Sequence, residues 1–343
     1  MSTPRIALIG CGAVAETFYV PALRKRPHLL RSLILVDPDL ERAAALRERL
    51  GALDAMADYR EALARVSGAL VLTPHRLHYP ITLDCVRRGI AVLCEKPLAE
   101  TPAEVDDIVE ASRTHAAPVL VNHTRRLFPS HREVRRLIES GALGELREIE
   151  YELGAPFEWP AATPTYFGAH SGGRGVLYDT GVHAVDLVCW WLGGEPQVLA
   201  YADDARGGTE AVARVTVRRG AAEARMHFSW LSKLRNAYRV VGSRATVEGG
   251  AYDWSSYTIT QGGRTRKVRT DRAWRVYEHF VERLIDNFAA VMARGARPLV
   301  SAADVRPAIA VIDACYGRRS PLAEPWNDAW PRLFRGERRV ANG

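Results

Sequence analysis

The N-terminal part of the chain alternates short apolar runs with stretches in which apolar residues recur at helical spacing. Apolar runs between polar residues predict buried parallel strands, and the amphipathic stretches between them predict crossover helices. The predicted strands are residues 5–9, 33–37, 69–73, 91–95 and 118–122. The predicted helices are residues 39–50, 58–65, 78–88 and 101–115. This alternation favours an α/β unit built on a doubly wound parallel sheet.

Near Gly144 the pattern changes to the alternation of half-buried strands. In residues 222–230, Ala222, Met226 and Trp230 would point to one side and Glu223 and Arg225 to the other. Further strands are predicted at residues 211–217, 238–241 and 257–261, and helices at 274–294 and 302–316. We expect two domains, residues 1–123 and 124–343, the second being α+β with a large, mostly antiparallel open sheet. The C-terminal helices are expected to pack back on either domain.

Length and composition agree with a folded two-domain protein. The chain has 343 residues, of which 47% are hydrophobic and 25% charged, as in ordinary globular proteins. No apolar run approaches the roughly 20 residues that span a bilayer, and we expect no export signal and a cytoplasmic location. The five cysteines are scattered and odd in number, which is typical of free thiols and predicts neither disulfides nor a metal site.

The basic charge does not indicate a nucleic-acid partner. The formal net charge is +7, but the basic residues are spread along the chain and form no block or stripe. Only four of the 47 basic residues are lysines, so a lysine at a structurally special position is informative.

A glycine-rich loop follows the first predicted strand. Gly10, Gly12, Ala13 and Val14 lie in a GxGxxA pattern, which lets a pyrophosphate approach a helix N-terminus. The alternative is an ordinary glycine turn, but the flanking strand and helix favour dinucleotide binding.

Asp37, at the end of the second predicted strand, bears on the choice of cofactor. It can accept hydrogen bonds from the adenosine ribose hydroxyls. A 2′-phosphate about 4 Å away would meet a repulsion of roughly 4 kcal/mol at a dielectric of 20, which favours NAD over NADP. Arg42 could soften that repulsion, and residues 37–39 could instead be only a turn and helix cap.

Lys96 follows the strand predicted at residues 91–95, at the edge of the sheet where ligands bind in this architecture. An ammonium there could hydrogen-bond a reacting hydroxyl and stabilise charge on its oxygen. A surface lysine is the simpler alternative, but the scarcity of lysine and the following Pro97 favour a function.

A third group of candidates lies in residues 172–186. If a helix begins near Asp179, then Asp179, His183 and Asp186 share one face. An imidazole beside a carboxylate is a common proton-transfer pair. The alternative is a helix cap at Asp179 followed by a buried structural pair of His183 and Asp186.

Taken together, these motifs resemble the Gfo/Idh/MocA oxidoreductases. The resemblance covers most of the chain and includes the glycine loop, residues 20–23, Thr73-Pro74 with His78, residues 95–98 and the Asp-x-Gly-x-His-x-x-Asp run that starts at Asp179. It implies a Rossmann domain followed by an α/β domain whose open sheet supports homodimers or homotetramers. It also implies that Thr73, His78, Glu95 and Lys96 contact the cofactor, that Lys96 contacts the substrate hydroxyl, and that His183 is the general acid/base with Asp179 beside it.

The substrate contacts are less specific. Arg125-Arg126 followed by Pro129 resembles the Arg-Arg-x-x-Pro of inositol dehydrogenases, which makes Arg126 a candidate substrate or cofactor contact. Ala15 replaces the commoner third glycine, which still permits close helix packing. The segment 157–170 matches no known substrate class. Its Trp159, Tyr166 and His170 could bind a polyol, although a tryptophan-proline loop is as often packing.

The function that these patterns and the resemblance imply is an NAD-dependent oxidoreductase acting on a CH–OH carbon of a sugar, nucleotide sugar or cyclitol. One alternative is a glycosidase or epimerase that retains NAD and acts by transient oxidation. Another is a non-catalytic NAD-binding regulator, which the presence of both Lys96 and His183 disfavours.

Overall fold

The computed structural model describes residues 4–158, 174–205, 208–270 and 275–322. Its first sheet is parallel and six-stranded, in the order β3-β2-β1-β4-β5-β6. The strands are β1 (Ile6–Ile9), β2 (Leu33–Val36), β3 (Asp54–Met56), β4 (Gly68–Val71), β5 (Ala91–Cys94) and β6 (Val119–Val121). This confirms the predicted doubly wound sheet. Only β3 was missed, because it is a three-residue strand at the sheet edge without a fully buried side chain.

Helices cover both faces of this sheet. They are α1 (Val20–Arg24), α2 (Pro27–Leu30), α3 (Leu40–Leu50), α4 (Tyr59–Leu63), α5 (His78–Val86) and α6 (Pro102–Thr114). Local chemistry fixes their starts: the Asp39 side chain accepts from the Arg42 backbone N–H, and Thr101 and Glu104 form a reciprocal capping box. A π-helical turn, Ala15–Tyr19, connects the glycine loop to α1.

The second sheet has nine strands in the order β14-β13-β12-β11-β7-β10-β9-β8-β15. Its strands are β7 (Leu146–Gly154), β8 (Gln197–Asp203), β9 (Val212–Arg219), β10 (Ala222–Ser229), β11 (Ala237–Gly242), β12 (Ala245–Gly250), β13 (Ser256–Gln261), β14 (Arg264–Arg269) and β15 (Ser320–Pro321). Only the β7–β10 and β8–β15 pairs are parallel. The mostly antiparallel sheet is therefore confirmed.

The sequence prediction omitted several of these strands for a physical reason. Strand β7 contains six residues with strong helix propensity, and β14 consists largely of exposed basic residues. Both become strands because each pairs with a neighbour along its length, which outweighs local propensity.

Four further helices complete the fold: α7 (Pro129–Glu139), α8 (Val182–Leu192), α9 (Glu278–Arg294) and α10 (Ala302–Tyr316). Helix α8 buries its apolar side against the second sheet. Helix α9 shares a hydrophobic cluster with Ile6 and Leu8 of β1, whereas Val305 and Ile309 of α10 pack with Ala7 and Ile9 on the opposite face. The two C-terminal helices thus cover opposite faces of the first sheet.

All five cysteines are buried free thiols, as their scattered positions predicted. In the part of the chain that the structure describes, no helix is both long enough and apolar enough to cross a bilayer.

Candidate active site

The glycine loop after β1 has the backbone that a bound pyrophosphate requires. Gly10 has φ of +98°, and a Cβ there would lie 2.7 Å from the Leu72 carbonyl oxygen. A Cβ on Gly12 would meet nothing within 4 Å, so the space beside the loop is open. A strained turn next to an open helix start fits the phosphate-binding loop of a dinucleotide site.

Asp37, immediately after β2, holds this loop in place. Its buried carboxylate accepts from the Cys11 backbone N–H at 2.9 Å and from the Asp39 backbone N–H at 3.0 Å. The Arg42 guanidinium lies 3.3 Å from the same carboxylate. Asp37 is therefore fixed beside the glycine loop, and its contact with a ribose hydroxyl stays a prediction; Arg42 is close enough to reduce its repulsion of a 2′-phosphate.

A cleft of about 330 Å³ lies between the carboxyl edge of the first sheet and helix α8. Both parts of the fold contribute to its lining. The lining residues that carry chemistry are Glu95, Lys96, Asn122, Thr124, Arg125, Glu158, Asp179, Thr180, His183, Ser229, Tyr252 and Tyr277. Val14 and Phe18, beside the glycine loop, also line it, so the cofactor loop and the polar residues share one cavity.

Lys96 and Asp179 form an ion pair inside this cleft. The lysine Nζ donates to Asp179 Oδ1 at 2.8 Å and to the Asp179 backbone carbonyl at 2.9 Å. His75 Nε2 lies 3.6 Å from the same carboxylate. Burial raises the pKa of Asp179, but the Lys96 ammonium and the other nearby groups outweigh burial and hold that pKa below its ordinary value. The carboxylate thus stays ionised and fixes the lysine.

His183 lines the same cleft, but the side chain of Asp179 contacts Lys96 and not the His183 ring. Residues Leu177–Gly181 form a π-helical turn before α8, so the helix begins earlier than predicted. A π-helical turn closes i to i+5 hydrogen bonds, so residue i+4 is not stacked on residue i as in an α-helix. Asp179 contacts Lys96, and the Nδ1 atom of His183 is buried without a hydrogen-bond partner.

The protonation state of His183 follows from its surroundings. Burial, followed by the charges of Arg125 and Lys96, lowers the pKa of His183 well below its ordinary value. The ring is therefore neutral near pH 7, and a neutral imidazole can accept a proton.

Glu210 holds the start of the helical segment that carries Asp179 and His183. Its buried carboxylate accepts from the backbone N–H groups of Gly175 at 2.8 Å and Leu177 at 3.2 Å, and from the Tyr316 hydroxyl at 2.7 Å. Burial raises the pKa of Glu210 to about 7. The Trp230 indole N–H also donates to Thr180 Oγ1 at 2.9 Å. These hydrogen bonds hold the first turn of the helical segment, and with it Asp179 and His183, at several points.

Asp186 belongs to a buried ion pair and not to the cleft lining. Arg126 donates two hydrogen bonds to its carboxylate, each at 2.7 Å, and His123 Nδ1 lies 3.3 Å away. The guanidinium of Arg126, predicted as a substrate or cofactor contact, is therefore turned toward Asp186. The adjacent Arg125 lines the cleft in its place.

Of three other predicted cofactor residues, Glu95 lines the cleft, whereas Thr73 and His78 are not among its lining residues and His78 is fully buried. Glu95 accepts from the Tyr19 hydroxyl at 2.9 Å and from the Asn122 amide, and burial raises its pKa. The ring nitrogens of His78 face the carbonyl oxygens of Thr73 at 2.7 Å and Pro97 at 2.6 Å. His78 thereby connects the turn after β4 to the turn that carries Lys96.

The burial of His78 limits how it can connect the two turns. Burial lowers the pKa of His78 to about 4, so near neutral pH the ring can donate to only one of the two carbonyls.

Trp159, Tyr166 and His170 lie outside the described residues. Among residues 4–158, 174–205, 208–270 and 275–322, no cluster of three or more His, Cys, Asp or Glu side chains could hold a metal ion.

Comparison with known proteins agrees with this geometry. Residues 4–123 match the model of the oxidoreductase family with an NAD-binding Rossmann fold, and residues 131–248 match the model of the Gfo/Idh/MocA C-terminal domain. The chain belongs to the Gfo/Idh/MocA oxidoreductase family. Its members bind NAD through the Rossmann domain, which is the cofactor that the glycine loop and Asp37 predicted.

Relatives of this Gfo/Idh/MocA protein include alcohol dehydrogenases. It is 26% identical over 264 residues to a trans-1,2-dihydrobenzene-1,2-diol dehydrogenase of Xenopus laevis, covering 75% of this chain and 78% of the relative. It is 27% identical over 192 residues to an inositol 2-dehydrogenase of Corynebacterium glutamicum, covering 55% of this chain and 54% of the relative.

Solved structures agree on the fold. A 3-ketoreductase from Actinomadura kijaniata, in complex with NADP and TDP-benzene, superimposes with a TM-score of 0.80 at 21% identity, covering 93% of this chain and 98% of that one. A levoglucosan dehydrogenase in complex with NADH and levoglucosan gives a TM-score of 0.79 at 18% identity, covering 92% and 98%.

Sequence reasoning did not find Arg125 or Tyr252 in the cleft lining, nor His75 beside the Asp179 carboxylate. His75 follows Thr73-Pro74, so its position just after a sheet strand was a usable signal. Arg125 could be distinguished from Arg126 only by knowing which of the two meets Asp186. Tyr252 comes from a turn of the second sheet, and nothing in its local sequence marks it.

Proposed function

We propose that this chain is an NAD-dependent dehydrogenase acting on a CH–OH carbon of a sugar, sugar derivative or cyclitol. One observation carries the proposal. An ammonium group at the carboxyl edge of the NAD-binding sheet is held by a carboxylate of the second sheet's helix, with a neutral imidazole in the same cleft. A hydroxyl-bearing substrate in this cleft would have a cation and a proton acceptor beside it.

The chain's own residues have separate roles in this proposal. When bound, NAD supplies the hydride acceptor for alcohol oxidation. His183 lines the cleft with a neutral ring and takes the hydroxyl proton. Lys96 Nζ donates a hydrogen bond to the alcohol oxygen and stabilises its negative charge, while Asp179 holds the ammonium in position. Ketone reduction uses the same groups in the opposite sense.

Substrate classes can be tested directly with a panel of cyclitols, free sugars and nucleotide sugars, assayed at 340 nm with NAD and NADP. We expect NADH formation with at least one polyol. Product formation without net NADH would instead favour the glycosidase or epimerase alternative. Binding of NAD and sugars without any conversion would favour the regulator.

The role of Lys96 has its own matched test. Lys96→Ala should lower kcat by about 10²–10³, the loss expected for one donor to a developing oxyanion. NADH affinity should stay within a few-fold, because the glycine loop and Asp37 carry much of the cofactor binding. Lys267→Ala, in the exposed strand β14, is the control and should leave both unchanged. Parallel loss of NADH affinity and kcat would make Lys96 a cofactor anchor instead.

We also propose assembly into a homodimer or homotetramer through the second sheet. Three ion pairs on or next to its strands leave charges of both signs partly exposed: Glu148 with Arg225, Glu152 with Arg235, and Glu248 with Arg239. Such a face is complementary to a rotated copy of itself. Light scattering should give a mass of two or four chains, and Arg225→Glu should lower it. A monomer at micromolar concentration would contradict this proposal.

A further inference from the structure

Arg125 is a buried cation for which the protein supplies no counter-ion. It follows β6 in a 3₁₀ turn, Thr124–Leu127, and only 7% of its surface is exposed. Its Nη1 atom is buried without a hydrogen-bond partner. Among the described residues, no carboxylate lies within 4.0 Å of its guanidinium. An unpaired buried charge is costly, so the position requires an explanation.

The adjacent arginine, Arg126, has the counter-ion that Arg125 lacks within the described part of the chain. Arg126 is equally buried, and Asp186 meets it with two hydrogen bonds of 2.7 Å. The contacts of Arg125 are aromatic, with its guanidinium carbon 4.7 Å from the centre of the Tyr252 ring. A ring face attracts a cation but does not replace a hydrogen-bond acceptor, so Nη1 of Arg125 remains available to an anion.

The other charged groups of the cleft do not neutralise Arg125. Asp179 is paired with Lys96, and Glu95 is held by Tyr19 and Asn122. Glu158 lies at the exposed rim and makes no ion pair with Arg125. The charge of Arg125 nevertheless acts on His183. After burial, it is the largest cause of the lowered pKa of that ring.

We propose that Arg125 binds an anionic group of the substrate, so that the preferred substrates are acidic polyols, carrying a carboxylate or a phosphate ester, and not neutral ones. This inference rests on the proposed function for the identity of the substrate's carbinol, but the anion site itself does not. Both candidate anions present the paired oxygens that a guanidinium fork binds. Arg125, Lys96 and His183 line the same cleft of about 330 Å³, so one small molecule can carry both the anion and the reacting hydroxyl.

Binding to the NADH-saturated protein tests the proposal without catalysis. Calorimetric titrations would compare glucuronate, glucose 6-phosphate and glucose, which share one ring and differ in charge. We expect one of the two acids to bind roughly 10- to 100-fold more tightly than glucose, since hydrogen bonds to a charged group are worth about that much. The stronger of the two distinguishes a carboxylate from a phosphate. Arg125→Gln should remove the difference.

Two controls separate this effect from general electrostatics. Arg132→Gln removes one exposed positive charge from α7, outside the cleft, and should leave the preference intact. Glu158→Gln should preserve or increase it. A preference for acids that survives in Arg125→Gln, or a neutral sugar that binds as tightly as both acids, would overturn the proposal.

A third measurement distinguishes failure of the anion site from failure of the proposed function. With NADH saturating the cofactor site, inorganic phosphate and acetate should raise the melting temperature of the unaltered protein and not that of Arg125→Gln. If this occurs while no sugar binds or reacts, the anion site stands and the sugar assignment is wrong. If neither anion stabilises the unaltered protein and no sugar acid binds, the anion site is wrong.

Discussion

The two walls of the cleft differ in how completely their charged groups are satisfied within the protein. On the cofactor wall, Asp37 accepts from two backbone N–H groups, and the Lys96 ammonium is paired with Asp179. On the substrate wall, Nη1 of Arg125 and Nδ1 of His183 have no partner. Charged groups that are already paired can hold a constant ligand in a preset geometry, whereas an unpaired charged or titratable group indicates what a variable ligand must supply.

The largest effect expected from this difference is on catalysis. His183→Ala should lower kcat by about 10²–10⁴, the usual contribution of a positioned general base. In the oxidation direction, the loss should be partly recovered at high pH, where hydroxide replaces the missing base. Steady-state kinetics and thermal unfolding of the same sample provide the check. A variant with nearly normal kcat and a lower Tm would make His183 a packing residue.

Replacing each of the two adjacent arginines should change the free energy of unfolding by very different amounts. Arg126→Gln leaves Asp186 buried without its partner and should lower the free energy of unfolding by about 3–5 kcal/mol. Arg125→Gln removes a cation that has no counter-ion and should change it by less than about 1 kcal/mol. Urea unfolding of both variants measures the contrast. Equal losses would mean that Arg125 is as well paired as Arg126.

The buried histidines should make the folded protein less stable as the pH falls. Burial lowers the pKa of His78 and His123 to about 4 and of His131 to about 3. The unfolded chain binds these protons near pH 6.5, so stability is complete above that pH and is lost as pH falls toward 4. Each ring can remove up to about 1.4 kcal/mol per pH unit.

Urea unfolding at pH 7, 6 and 5 checks this slope, and His131→Asn should reduce it. A free energy of unfolding that is constant over this range would show that the three rings titrate normally in the folded protein.

The smallest expected change concerns cofactor choice. Asp37→Ala should reduce the preference for NAD over NADP by about tenfold, because Arg42 already offsets part of the repulsion between Asp37 and a 2′-phosphate. The ratio of kcat/KM for the two cofactors measures it. Asp39→Ala is the matched control, since Asp39 caps α3 and also contacts Arg42. Better turnover with NADP in the unaltered protein would contradict the assignment.

The sequence predicted those features that depend on local pattern. Buried strands such as residues 91–94 are apolar along their whole length, and the loop from Gly10 needs glycine for reasons of backbone geometry, so both could be identified from the chain alone. The partner of each polar side chain could not. The π-helical turn at Leu177–Gly181 rotates Asp179 away from His183, and helical spacing assumes regular α-helix. Which arginine meets Asp186 likewise depends on packing between distant segments.

Helices α9 and α10 have a consequence for how the chain is made. The first sheet is synthesised early, but its two faces are completed by residues of Glu278–Arg294 and Ala302–Tyr316, which leave the ribosome much later. Until then, Ile6, Leu8 and Ile9 lack the part of their apolar cover that these two helices supply, although residues of the N-terminal helices already pack beside them. We therefore expect the dinucleotide-binding half to be fully covered only after the C-terminal helices have packed, and a fragment ending near residue 123 to expose more apolar surface and to aggregate more readily than the whole chain.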